Sequence, residues 1–138
     1  MELWEALNEH HGKNSLYFKD FYRQFSFGVR KAALLKQAQN ASMRVVICFD
    51  EAVQMRAGYC ISIVDSEQVG EIESIFVLPD YRGLGIGEEL MRKSLQWMDE
   101  MGAGKIVVSV AAGNEQAFGF YEKHGFYPRK TTLEQIKE

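Results

Sequence analysis

"VLPDYRGLGIGEEL", residues 77–90, sets three glycines, Gly83, Gly85 and Gly87, at alternate positions directly behind Arg82. Glycine gives up more conformational freedom on folding than any other residue, so a run this dense marks a backbone that must turn unusually or be approached closely. Pro79 upstream stops a strand ladder, because it has no N–H to donate. A helix-like run begins near Ile86. The stretch therefore reads as a strand end, a bare loop and a helix start.

Two familiar glycine-rich designs fail on it. A dinucleotide fingerprint needs a third glycine where Glu88 stands, counting from Gly83, or Leu90, counting from Gly85. A Walker loop needs Lys-Ser or Lys-Thr after its last glycine, and Gly87 is followed by Glu88-Glu89. General physics still applies. A loop without side chains lets backbone N–H groups reach an anion. The helix start offers unpaired N–H groups and the positive end of its dipole. Arg82 adds a permanent cation suited to phosphate. The loop reads as a pyrophosphate cradle, the plainer alternative being a tight strand-to-helix turn. Glu88 and Glu89 would repel an anion, so they are expected to point to solvent and complement the helix dipole.

Working outward, residues 69–78 alternate as a strand, with Glu71, Glu73, Ile75 and Val77 expected on one face and Ile72, Ser74, Phe76 and Leu78 on the other. Residues 44–49 and 54–64 read as a hairpin turning at Asp50-Glu51. Residues 86–101 form a helix with Ile86, Leu90, Trp97 and Met101 near one face, stopped by Gly102. Residues 105–111 read as a short strand buried on both sides, 114–123 as a helix closed by Gly125, and 126–133 as a last strand. Upstream, 2–9 and 15–39 carry helical spacing, with Ser15 as a cap and Tyr17, Phe21 and Phe25 four apart. That aromatic stripe reads as a core face, or as a pocket wall. Consecutive strands followed by strand-helix-strand-helix-strand indicate an α/β domain, a mixed, mostly antiparallel twisted sheet flanked by helices.

The bulk numbers agree with one domain over residues 1–138, since 138 residues at 46% hydrophobic and 25% charged suffice for a single core. A net charge of −3 argues against nucleic acid or an anionic membrane as partner. No apolar run is long enough to span a bilayer. Met1 opens an acidic amphipathic stretch rather than a signal peptide, which points to the cytoplasm. Cys48 and Cys60 sit in strand-like segments and are expected as buried free thiols. His10, His11 and His124 lack metal-ligand spacing, so no metal site is expected.

"RGLGIG", residues 82–87, after "IESIFVLPDY", resembles the first signature of the GCN5-related N-acetyltransferases (GNAT). "NEQAFGFYEKHGF", residues 114–126, resembles the second: an asparagine, a helix with a tyrosine, then Gly-Phe. The two motifs, in family order with a strand between, cover about half the chain. The resemblance implies the acyl-CoA N-acyltransferase fold, acetyl-coenzyme A (acetyl-CoA) as co-substrate with its pyrophosphate on the loop of Arg82, Gly83, Leu84, Gly85, Ile86 and Gly87, and a small-molecule or peptide amine as acceptor. Family members normally begin with a strand before the first helix. This chain opens on a helix-like stretch and is expected to lack that strand. Dimers are common in the family, which leaves a homodimer open.

Such a reaction needs an aligned thioester, an amine freed of its proton, a stabilised oxyanion and a proton for the leaving thiolate. The resemblance implies that the strand before the loop splays from its neighbour, often at a bulge, so that the amides of Ile75, Phe76 and Val77 hold the pantetheine arm. It implies that Asn114 contacts the co-substrate and Tyr121 protonates the sulfur. Asn114, Ala117 and Tyr121 also share a helical face. From the residues alone, Asn114 reads equally as a helix cap and Tyr121 as a core tyrosine beside Phe118, Phe120 and Phe126. By resemblance the base, acting through water, is Glu71, with Glu73 in reserve; the plainer reading has both facing solvent. A non-catalytic acyl-CoA-binding module is the alternative function.

Overall fold

The computed structural model describes residue 36 and residues 40–137. The expected N-terminal helices, the Ser15 cap, the aromatic stripe and the missing first strand lie outside the described residues.

Strands β1 (Ala41–Asp50), β2 (Met55–Asp65) and β3 (Val69–Val77) form an antiparallel meander, and β4 (Lys105–Val108) joins the far edge of β3 in parallel. The sheet is mixed and mostly antiparallel, in the order β1-β2-β3-β4. Helix α1 (Ile86–Glu100) crosses from β3 to β4, as a parallel connection requires. A short 3-10 turn (Glu115–Ala117) leads into α2 (Phe118–Glu122). Among the described residues no helix is long and apolar enough to cross a membrane.

One face of the sheet carries α1. Cys60, Val64 and Ile72 from the strands meet Leu90, Met91 and Met98 from the helix. The buried stripe of α1 is Leu90, Met91, Ser94 and Met98, rotated from the expected one. Ile86 and Trp97 only flank the core, and Met101 is 39% exposed. The rotation has a polar cause: the Ser94 hydroxyl donates to the Cys60 Sγ at 3.1 Å, so a serine can turn inward. Burial pushes the Cys60 thiol up from its ordinary range. Both cysteines are free, Cys60 buried and Cys48 half-buried. At Gly70 a Cβ would lie 2.8 Å from the Met98 sulfur, so a larger residue there would displace the Met98 side chain from between α1 and the sheet.

Other boundaries also shift. The first strand is longer than expected, and the hairpin turn takes residues 51–54. Strand β4 ends at Val108 and is half-buried, with Lys105 exposed, rather than buried on both sides. The helix expected over 114–123 breaks into a 3-10 turn and a short α-helix. No strand forms over 126–133. Pro128 removes a ladder donor there, and Tyr127 and Leu133 are 73% and 91% exposed, with no packed face to hold a register.

Candidate active site

The third strand does not keep one alternation throughout. Ser62 stands opposite Ile72 and Ile61 opposite Ser74, so Glu73 is an extra residue, a β-bulge. A bulge reverses which residues face which side. Ile72 points to α1, as do Ile75 and Val77 beyond the bulge. Directly paired residues share a face, so Glu71 (opposite Ile63), Ser74 (opposite Ile61) and Phe76 (opposite Tyr59) lie on the other side. The expected face of Glu71, Glu73, Ile75 and Val77 is therefore split. Glu71 lies across the sheet from Ile75 and Val77.

The bulge coincides with a parting of strands. Pairing between β3 and β4 runs from Val69 opposite Lys105 to Ile72 opposite Val108 and stops. Beyond it β3 continues to Val77, still paired with β2 on its other edge. Residues 73–77 thus carry a strand edge without a strand beside it among the described residues. Such an edge is a template for an extended chain.

The strand leads straight into the loop. The Leu78 amide donates to the Ala57 carbonyl at 2.8 Å, and a 3-10 turn (Pro79–Tyr81) follows. The Tyr81 hydroxyl donates to Asp50 at 2.8 Å, pinning this turn to the end of β1. That hydrogen bond to a carboxylate raises the Tyr81 phenol above its ordinary value. Gly83 and Gly85 have φ of +79° and +81°, the left-handed region that side chains resist. An added Cβ would meet nothing within 4 Å at either. The glycines thus serve the backbone turn and leave open space in front of it. Gly85 caps α1 without a side-chain hydrogen bond, and the first amides of a helix lack intrahelical acceptors.

Arg82 sits differently from a simple phosphate clamp. Its Nε donates to the Val77 carbonyl at 3.0 Å, and its guanidinium lies 5.4 Å from the centre of the Phe76 ring. Glu89 turns to Arg92, which binds both its carboxylate oxygens, at 3.0 and 2.6 Å. The Arg92 hydrogen bond holds the Glu89 carboxyl below its usual range. Glu88 lies 3.9 Å from Lys123, and both acids are exposed.

That second contact joins α2 to the start of α1. At Gly87 a Cβ would sit 3.5 Å from the Phe120 ring, so α2 docks against the first turn of α1. Tyr121 follows, packed against the core cluster on the α1 side of the sheet. Its ring meets Phe120 and Phe126 edge to face, at 5.4 and 6.1 Å. Burial, with Cys60 adding a smaller effect, pushes the phenol up to about 12. Tyr121 therefore carries its proton throughout the physiological range. The packing reading of this residue is thus met, since its ring lies against Phe120, Phe126 and the core cluster. Asn114 stands at the cap position of the 3-10 turn but makes no side-chain cap bond; its Oδ1 accepts from the Gln116 amide at 2.8 Å.

Two features escaped sequence reading. The Cys60–Ser94 contact joins residues far apart in the chain, and only the alternation of Cys60, Ser62 and Val64 hinted at it. The Tyr59 and Ser74 hydroxyls are hydrogen-bonded at 2.7 Å. They share a face only because the bulge reverses the parity of β3. Among the described residues no group of three His, Cys, Asp or Glu could hold a metal.

A model of the acetyltransferase (GNAT) family matches residues 4–126. A mycothiol acetyltransferase of Corynebacterium aurimucosum is 40% identical over 62 residues, 45% of this chain and 20% of the relative. The first curated relatives match over 20% to 47% of their own lengths, so the chain spans less than half of each. A Bacillus anthracis structure, assigned as a streptothricin acetyltransferase and solved with acetyl coenzyme A, is 28% identical, with a TM-score of 0.54 over 62% of this chain and 47% of that one. A Bacillus halodurans protein shares the fold over 99% of this chain and 90% of its own, at a TM-score of 0.76 and 19% identity.

Proposed function

The chain belongs to the acetyltransferase (GNAT) family, and on that premise we propose that it transfers an acetyl group from acetyl-CoA to a primary amine of a small molecule or peptide, by direct attack in a ternary complex. The observation that carries this reading is the strand edge of residues 73–77, which has no strand beside it among the described residues, running directly into the Gly83–Gly85 loop and the start of α1, where Gly85 offers no side-chain cap bond. An extended thiol arm fits such an edge, and a pyrophosphate fits such a loop.

Acetyl-CoA would supply the activated acyl group. The chain's own residues do the rest. Amides along Ile75, Phe76 and Val77 hold the arm and leave a donor for the developing oxyanion. Backbone N–H groups of Gly83 to Gly87 take the phosphates. Arg82 braces this loop against the strand end and contributes its charge. Tyr121 keeps a proton for the departing sulfur, as a phenol with a pKa near 12 can do at neutral pH. Asn114, at the turn before α2, contacts the co-substrate from the β4 side. Glu71, across the sheet from Tyr121, takes the amine proton through water, with Glu73 at the bulge as the second candidate.

Calorimetric titration with acetyl-CoA, ATP and NADH tests the binding half, and coenzyme A release with a panel of primary amines tests the chemistry. Binding of acetyl-CoA without release for any amine would favour a sensing module instead. Binding of ATP or NADH in its place would end the acetyltransferase reading.

A further inference from the structure

Strand β1 is ten residues long and lies at one side of the sheet, paired with β2 along one edge. Among the described residues no strand lies along its other edge. Its side chains alternate without a break. Val46 packs against the core on the α1 side, while Val45, Ile47 and Phe49 point to the opposite face and are 52%, 50% and 46% exposed. The one irregularity in the β1–β2 pairing follows Cys48, and there the extra residue is Ala57 of β2, so β1 keeps a straight period of two. No proline or lysine stands within Ala41–Asp50. Those residues, with bulges on the edge strand itself, are what usually keep a bare edge from pairing.

We propose that β1 is the interface between two copies of this chain, joined edge to edge and antiparallel about a two-fold axis at Ile47. What selects a second copy as the occupant is that the strand complements itself. A two-fold axis perpendicular to the sheet keeps each face on its own side, so it must pass beside a residue that pairs with its own copy. With Ile47 opposite the partner's Ile47, Val45 stands opposite the partner's Phe49, Val46 opposite the partner's Cys48, and Arg44 opposite the partner's Asp50. Symmetry repeats each pair, so the exposed apolar stripe doubles in length and an opposite-charge pair closes it at both ends. Moving the axis to Val46 or Cys48 loses both charge pairs. Asp50 is already fixed in place, because its carboxylate oxygens accept the Ala52 N–H at 3.0 Å and the Tyr81 hydroxyl at 2.8 Å. A carboxylate offers about four lone-pair sites, which leaves room for a guanidinium. The two sheets become one continuous sheet with both α1 helices on the same face. This interface is independent of the acetyltransferase reading.

The experiment uses the full chain. Sedimentation equilibrium over a wide concentration range should give the mass of a dimer. Ile47→Lys sets two ammonium groups face to face at the axis and should raise the dimer dissociation constant at least about tenfold. Disulfide trapping in a Cys48→Ser background reads the register. Ile47→Cys meets its own copy with Cβ atoms about 5 Å apart, so mild oxidation should link the two chains. Val45→Cys lies four residues along the strand from its own copy, roughly 13 Å away. That exceeds the roughly 7 Å between Cα atoms that a disulfide spans, so this thiol should stay free. If Ile47→Lys does not fold, the trapping pair decides alone. A monomer at every concentration, a dimer that Ile47→Lys leaves unchanged, or a link through Val45→Cys rather than Ile47→Cys overturns the proposal. In the first case the edge belongs to a different occupant, and in the other two the dimer uses a different surface or register.

Discussion

The Nε of Arg82 donates to the carbonyl of Val77, 3.0 Å away, and so ties the first residue of the glycine loop to the last residue of β3. The bond closes a five-residue path around Pro79 and holds the guanidinium over Phe76. Arginine suits this position because one planar group can hydrogen-bond and stack at once. The charge that faces the proposed phosphate site is thus part of the brace that shapes it.

Arg82→Lys keeps the charge and loses both the Nε bond and the stacked plane. Acetyl-CoA affinity should fall between roughly threefold and tenfold, the scale of one charge-assisted hydrogen bond in an exposed setting. Arg82→Ala should fall further. Calorimetry on the two variants separates charge from bracing: equal losses would assign the effect to the brace alone, and an unchanged affinity in Arg82→Lys would assign it to charge.

Gly85→Val should sharply weaken acetyl-CoA binding in a protein that still folds. Open space surrounds the position, so the penalty comes from a β-branched residue at φ of +81°, not from a clash. The left-handed region costs an ordinary residue about 1–2 kcal/mol. Gly87→Ala is the contrast. It lies within the helix and its Cβ would meet Phe120 at an ordinary 3.5 Å, so binding should change by less than about threefold. Equal behaviour of the two variants would remove backbone conformation as the cause.

Tyr121→Phe should leave acetyl-CoA affinity within a few fold and slow turnover by roughly tenfold to a thousandfold, the usual range for a lost general acid. A stability signature accompanies it. The folded phenol is raised from 10 to about 12, so below pH 10 both folded and unfolded states hold the proton and nothing is lost. As pH climbs from 10 towards 12 the unfolded state releases its proton first, and stability falls. The alkaline unfolding limb should therefore flatten in Tyr121→Phe. An unaltered rate with a chemistry-limited acceptor would leave Tyr121 as packing alone.

Glu71→Gln should reduce the rate at subsaturating amine more than Glu73→Gln does, with acetyl-CoA affinity nearly unchanged in both. The deficit should shrink at high pH, where more amine arrives neutral. A pH–rate profile for each variant decides the matter. If Glu73→Gln is the damaging change, the base is the bulge residue.

How much of this was legible in the chain depended on whether the signal was local. The bare loop, the helix from Ile86, the stop at Gly102 and the closing turn at Gly125 follow from residues a few positions apart, and glycine's access to positive φ is local physics. The order of strands and the mixed sheet followed from the spacing of apolar runs. The last strand was misread because residues 126–133 have strand-like composition but gain no partner among the described residues, and composition does not supply one.

The sequence by itself determined the loop, the helix that opens from it and the two motifs that mark the family, because those rest on backbone chemistry within short windows. The tertiary structure decided which groups face each other. One extra residue, Glu73, reverses the parity of β3, putting Glu71 and Ser74 across the sheet from Ile75, Val77 and Tyr121. A period of two read from sequence continues through such a bulge unchecked, since only the pairing partner on β2 reveals that a residue has been skipped. The same holds for α1, whose inward stripe was settled by a serine meeting a thiol from another strand.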